Sequence, residues 1–199
     1  GLNYLLIGAA ARSQEYLDRL QRKFPESDFR AEVLKVSGDN AFALQDWPTA
    51  AEAYRGYLEQ EGTLQERDRI GLKLAECHWE MEEYYEASAV LQEVSQSAQN
   101  RELRFRALLL KARVHVPSDD FEVVDVLLSE LRQQAELYNL RGDVRLIEAE
   151  NLIAQGQGDE ATPLLENMPQ EWETPRVRAQ ARDMLGSLYM ARADWEPPS

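Results

Sequence analysis

The sequence lacks the raw material of several protein classes. It holds a single cysteine, Cys77, so no internal disulfide can staple it. Glycine and proline number only 10 and 8 among 199 residues, and no stretch is rich in both, which argues against a linker or a low-complexity segment. Strand-like runs of Val, Ile and Thr are nearly missing. No apolar run reaches the roughly 20 residues of a membrane-spanning helix. The apolar opening over residues 2–11 is short and has no basic leader, so it does not read as a signal peptide. Positive charge is also scarce: 22 Lys and Arg against 36 Asp and Glu leave a formal net charge of −14. Such a surface repels phosphate backbones, which argues against nucleic-acid binding, and it favours basic or neutral partners.

What fills the chain instead is Glu, Ala, Leu, Gln and Arg, all good helix formers. Three turn signals stand out, Gln45-Asp46-Trp47-Pro48, Glu82-Glu83-Tyr84-Tyr85 and Ser118-Asp119-Asp120-Phe121, each an acid followed by an aromatic. Trp47, Tyr84 and Phe121 stand 37 residues apart, and further steps reach Gly158 and then Trp195, itself preceded by Asp194. Small residues keep the same step at Gly38, Ala75, Ala112, Ala149 and Gly186, and again at Ala50, Ala87, Val124 and Ala161. A large series, Tyr54, Leu91, Leu128 and Leu165, follows suit. Several series in one register, without an insertion, mean a tandem array. Each unit reads as two amphipathic helices packed antiparallel, where small residues allow close approach and large ones fill the space between units.

The predicted fold is therefore all-α, a right-handed α-solenoid of antiparallel helix pairs with about five repeats over residues 1–199. A partial repeat at 1–27 precedes repeats near 28–62, 65–99, 102–138 and 140–170, and a partial one follows at 173–199. First helices are expected near 30–44, 66–80, 103–116, 142–155 and 174–192. Second helices are expected near 48–60, 84–97, 120–137 and 159–168. In this phase residue 1 falls inside a first helix and residue 199 where a second helix should begin. The expectation is a fragment of a longer repeat protein, or ends covered by partners with self-association through them.

This pattern resembles the tetratricopeptide repeat. Asp46-Trp47 with Ala50 and Tyr54 carries the resemblance, as does Leu185-Gly186 with Tyr189 and Asp194-Trp195. There are departures: Lys111 and Glu148 stand where the family usually has Leu, Gly158 replaces the aromatic, and each unit is longer than the family's usual one. The resemblance implies a protein-binding scaffold, with a concave groove lined by first helices. Tyr16-Leu17-Asp18-Arg19-Leu20 followed by Phe24-Pro25-Glu26-Ser27 is similar to bacterial envelope repeat proteins, the outer-membrane assembly lipoproteins and Tol-Pal accessory proteins among them. That implies a bacterial periplasmic or cell-envelope setting.

On the first helices, Phe42, Trp79, Val116, Ile153 and Met190 keep the 37-residue step, with Leu5 before them. If they face the groove they form an apolar ladder for an extended or helical peptide. An apolar stripe at helical spacing also packs as core, and the sequence leaves both readings open. Three residues earlier lie Asp39, Glu76, Arg113, Glu150 and Ser187, and seven before those Glu32, Arg69, Arg106, Asp143 and Gln180. Arg69, Arg106 and Arg113 would suit an acidic segment, although a solvated face of minor ion pairs explains the same residues. Lys35 matches one position of the carboxylate clamp that chaperone-docking relatives use, but Asp39 stands where an Asn is needed, which argues against chaperone-tail binding.

Catalytic readings find no support. His78 and His115 sit one repeat apart, too far to share a metal. Cys77 and His78 are consecutive and point about 100° apart on a helix. Gly156-Gln157-Gly158-Asp159 follows no strand, so it is not a dinucleotide loop. Arg141-Gly142-Asp143 spells an adhesion tripeptide but coincides with a helix start. The expected function is a non-enzymatic scaffold or adaptor that binds a partner protein or peptide, without cofactors or membrane insertion. The alternatives are a spacer that binds through its ends or convex face, and a regulatory segment of a larger enzyme.

Overall fold

The computed structural model describes residues 13, 16, 17, 19, 29–60, 63–172 and 174–195, with side chains as far as residue 192. The expected slots at Leu5 and at Phe24-Pro25-Glu26-Ser27 lie outside the described residues. Among the described residues every regular element is helical, so the fold is an all-α helical repeat. The elements are α1 (Arg30–Ala43), α2 (Trp47–Leu58), α3 (Leu64–Glu80), α4 (Tyr84–Ser97), α5 (Arg101–His115), α6 (Phe121–Gln134), α7 (Arg141–Ala154), α8 (Gly158–Glu166) and α9 (Pro175–Trp195). Short 3₁₀ turns follow α5 (Val116–Ser118) and α6 (Ala135–Tyr138) and precede α9 (Gln170–Trp172). The chain divides into two compact units, Gly1–Ala107 and Leu108–Ser199.

Helix starts follow local chemistry. The Asp46 carboxylate accepts from Thr49 N–H at 3.3 Å, and Pro48 occupies the first turn of α2. Thr63, Asn100 and Thr174 accept in the same way at the starts of α3, α5 and α9. Glu83 and Asp120 lead into α4 and α6 without capping them. Each instead meets a histidine of the preceding helix: His78 Nδ1 lies 2.6 Å from Glu83 and His115 Nδ1 lies 3.0 Å from Asp120. The equivalent histidines thus tie the turn to the first helix of their own repeat, which is a structural task.

The period is visible in the backbone itself. Gln45, Glu82, Asp119 and Gly156, each 37 residues from the next, all have positive φ, between 57° and 76°. After each, the following amide donates back five residues, as in Asp46 N–H to Ala41 O at 2.9 Å and Gln157 N–H to Leu152 O at 2.8 Å. The positive-φ amide itself donates back three residues, from Gln45 to Phe42 and from Gly156 to Ile153. This is a Schellman-type helix end, and only its fourth copy uses the glycine that left-handed backbone favours. Glu82→Gly is expected to stabilise the protein by about 1 kcal/mol and raise the Tm by roughly 2–4 °C, whereas Gly156→Ala shifts it by a similar amount in the opposite direction. Calorimetry checks both. Gly156 has no neighbour within 4 Å of an added Cβ, so its loss would report the backbone alone.

The slots fill as the spacing requires. In the first unit Ala50, Tyr54, Ala75, Ala87 and Leu91 are fully buried, and Ala41, Ile70 and Cys77 pack with Ala50 and Tyr54. In the second unit Ala112, Val124, Leu128, Ala149, Ala161 and Leu165 take the same positions, with Leu146, Val177 and Ala181 beside them. Burial pushes the Cys77 thiol up to about 12, so it is a packing residue rather than a nucleophile. One expectation fails at the end of the array. The turn before Trp195 is absent, because α9 continues as helix through Trp195. Gly186, the last of the small series, is exposed and its Cβ position is open.

Candidate functional site

In the first unit the ladder residues Phe42 and Trp79 are half-buried. Each turns its ring onto the aromatic that opens the second helix of its own repeat. Phe42 meets Trp47 nearly edge-on at 5.1 Å between ring centres, and Trp79 meets Tyr84 at 5.4 Å. Part of what looked like groove surface therefore closes the helix corner. In the second unit Val116 is buried in a 3₁₀ turn and contributes little surface. Ile153 is half-buried against the core, while Met190 is 64% exposed. The ladder is thus uneven: solvent reaches Phe42, Trp79, Ile153 and Met190, but not Val116.

The charged positions beside the ladder join neighbouring first helices. Asp39 on α1 accepts from Lys73 Nζ on α3 at 2.6 Å and from the buried Tyr54 hydroxyl at 2.8 Å. Burial, reinforced by that bond, pushes the Tyr54 hydroxyl far above the ordinary tyrosine range. Lys35 on α1 pairs with Glu66 on α3 at 2.7 Å. In the second unit Arg113 on α5 pairs with Glu150 on α7, and Asp143 on α7 pairs with Arg176 on α9. Arg106 pairs with Glu102 on its own helix at 2.9 Å, and Arg69 with Glu66 at 3.7 Å. Asp143 and Gly142 are buried in the first turn of α7, which removes Arg141-Gly142-Asp143 as an exposed adhesion tripeptide.

Two acids of these slots are held above the ordinary carboxylate range. Glu76 is open to solvent, yet desolvation by the surrounding protein raises its carboxyl above the ordinary range, outweighing the pull of Lys73 and Arg106. Glu150 is likewise raised by burial, against the attraction of its partner Arg113. Among the described residues no group of three or more His, Cys, Asp or Glu is placed to hold a metal ion. None of the helices there is long and apolar enough to cross a membrane.

The second unit holds a further concavity that the sequence pattern did not reveal. A cleft of about 550 Å³ lies over α7, walled by α6, α8 and the turn at Trp172. The side chains that define its character are Arg132, Arg141, Arg145, Glu148, Asn151 and Trp172. Arg141 and Arg145 both sit over the Trp172 ring, 5.4 and 5.6 Å from its centre. Glu148 pairs with Arg132 and lies 3.6 Å from Arg145, so one carboxylate serves two guanidiniums. The one signal for this site was a departure from pattern. Glu148 takes a slot where the family usually has Leu, and the structure puts its polar group to use.

The likeness to a solved structure is one of fold. The chain resembles BtubC (BKLC) from P. vanneervenii, with a TM-score of 0.58 at 18% identity, covering 98% of this chain and 86% of that one. No family model matches the sequence, and no curated protein does.

Proposed function

We propose that the chain is a tetratricopeptide-type repeat scaffold, non-enzymatic, that docks a partner protein through the exposed faces of its first helices. The observation that carries this reading is the apolar ladder left at the surface, with Phe42, Trp79 and Ile153 half-buried and Met190 exposed. Beside it the exposed Glu76 stands three residues before Trp79 on α3, and Lys73 and Arg106 attract its carboxylate. Mixed apolar and charged surface along helix faces suits a peptide or helix better than it suits catalysis.

The test is affinity for a partner captured on the whole chain, measured by calorimetry for the wild type, Trp79→Ala and Met190→Glu. A loss of roughly tenfold or more in either variant, with the melting curve retained, is expected of an interface residue. Met190 is exposed, so its substitution leaves the core untouched. Affinity unchanged in both would refute the first-helix reading.

A further inference from the structure

We propose that the first-helix face of the first unit takes a basic segment of a partner protein, with lysine or arginine set beside apolar side chains. This rests on the first-helix reading and names the chemistry of its partner. The face is formed by α1, α3 and the start of α5. At about 100° per residue, Arg69, Lys73, Trp79 and Glu80 all fall within about 60° of Glu76 on α3. Lys35 and Lys73 tie α1 to α3 through Glu66 and Asp39, so the two helices present their charged residues side by side.

Charge selects the class of partner, because the cations of this face are already engaged. Lys35 and Arg69 both serve Glu66, Lys73 serves Asp39, and Arg106 serves Glu102. The exposed carboxylates Glu32, Glu76 and Glu80 have no ion pair among the described residues, so the surplus on this face is negative. In the row to which Glu76 belongs, Asp39 has Lys73 and Glu150 has Arg113. Glu76 has no such partner. Lys73 and Arg106 attract it from a distance, yet desolvation outweighs them and Glu80 adds repulsion, so its carboxyl stays above the ordinary range. An ammonium or guanidinium from outside is the group this carboxylate lacks. The net charge of −14 on the whole chain draws such a partner in.

The aromatics favour a peptide over a free cation. Phe42 and Trp79 each stand three residues after an acid of the row, Asp39 or Glu76, and both remain half-buried after packing on Trp47 and Tyr84. A lysine or arginine side chain fits such a pair, with its aliphatic stem along the ring and its charged head at the carboxylate. Apolar neighbours in the same segment cover what solvent reaches of the two rings. A metal ion would supply charge alone, and among the described residues no group of three or more His, Cys, Asp or Glu is placed to hold one.

The probe is a fluorescein-labelled hexapeptide of alternating Lys and Leu, followed by anisotropy with the full chain. Saturable binding that weakens with salt is expected. Glu76→Gln and Glu80→Gln should each lower the affinity about threefold and the double variant about tenfold. Both side chains are exposed, so the melting curve should be retained. Trp79→Ala should lower the affinity about tenfold. Glu122→Gln with Glu130→Gln, two exposed acids of α6, removes the same charge elsewhere and should leave the affinity within about twofold. No saturable binding, equal binding of a Glu-Leu or Lys-Ser hexapeptide, or an equal loss in the α6 variant would overturn the proposal. So would displacement by spermine at concentrations comparable to the peptide, which marks a simple cation site. Full affinity in the Glu76 and Glu80 double variant, with a loss in Trp79→Ala, would keep the docking face and overturn its basic partner. The reverse result would keep the basic partner and refute the apolar ladder of the first-helix reading.

Discussion

Gly38→Ala is expected to destabilise the first unit by about 2–3 kcal/mol, and Tyr54→Leu introduced alongside it is expected to recover most of that loss. A Cβ at position 38 would stand 2.5 Å from Tyr54 Cε1 and 2.6 Å from Cδ1. The Tyr54 ring has nowhere to go. It is fully buried, its hydroxyl is held by Asp39, and Phe42 packs near it with ring centres 6.4 Å apart. The neighbouring repeats show the alternative solution. Where the large slot is Leu, at 91, 128 and 165, the small slot sixteen residues earlier is Ala, at 75, 112 and 149. Where it is Tyr54, the small slot is Gly38. Each pair shares one volume between two helices. Alone, Tyr54→Leu leaves a cavity and removes one of the two donors to Asp39, with a loss of about 2 kcal/mol. Chemical denaturation of the two single variants and the double variant forms a cycle. Additive losses would show that positions 38 and 54 do not compensate for each other.

Gly142→Ala is expected to be the most damaging glycine substitution in the second unit, because the obstacle is backbone. The added Cβ would lie 2.3 Å from the carbonyl oxygen of Trp172 and 3.0 Å from Val177 Cγ1. A side chain can turn away, but a carbonyl carries its whole segment with it. The Gln170–Trp172 turn must move off α7, and the indole then leaves Arg141 and Arg145. The expected cost is about 2–3 kcal/mol, a Tm lower by roughly 4–10 °C, and shifted tryptophan emission. Gly186→Ala is the control. Its Cβ position is open, so better helix propensity should leave stability unchanged or raised by up to about 1 kcal/mol. An unchanged melting curve for Gly142→Ala would show that the turn at Trp172 is not held against α7.

The two substitutions separate what repetition teaches from what it hides. Gly38 and Tyr54 belong to series that the 37-residue step already exposes, and their burial follows from it. Gly142 belongs to no such series. Its place against Trp172 arises where α7 meets an irregular turn, and irregular turns leave no period to read. The charged candidates divide in the same way. Asp39, Arg113 and Glu150 share a slot, and the structure places them in ion pairs that link first helices, a use that slot spacing alone does not specify. Val116 shares a slot with Met190, yet one is buried and the other exposed. The first sits in a turn pinned by its neighbours, while the second lies near the end of α9, where among the described residues no second helix follows.

Residue order was enough to specify the helical class, the register of the helix pairs and the identity of the core. Helix formation and core burial depend on short-range spacing, and spacing is written in the order of residues. The left-handed turn residues at 45, 82, 119 and 156 obey the same register, although only the last is a glycine. Packing in three dimensions decided which charged residues neutralise one another and which remain at the wall of a cleft. Arg132 comes from α6, Arg145 and Glu148 from α7, and Trp172 from a turn ahead of α9. Their meeting depends on how far helices stand apart and how an irregular turn folds back, which are properties of packed volume rather than of sequence order.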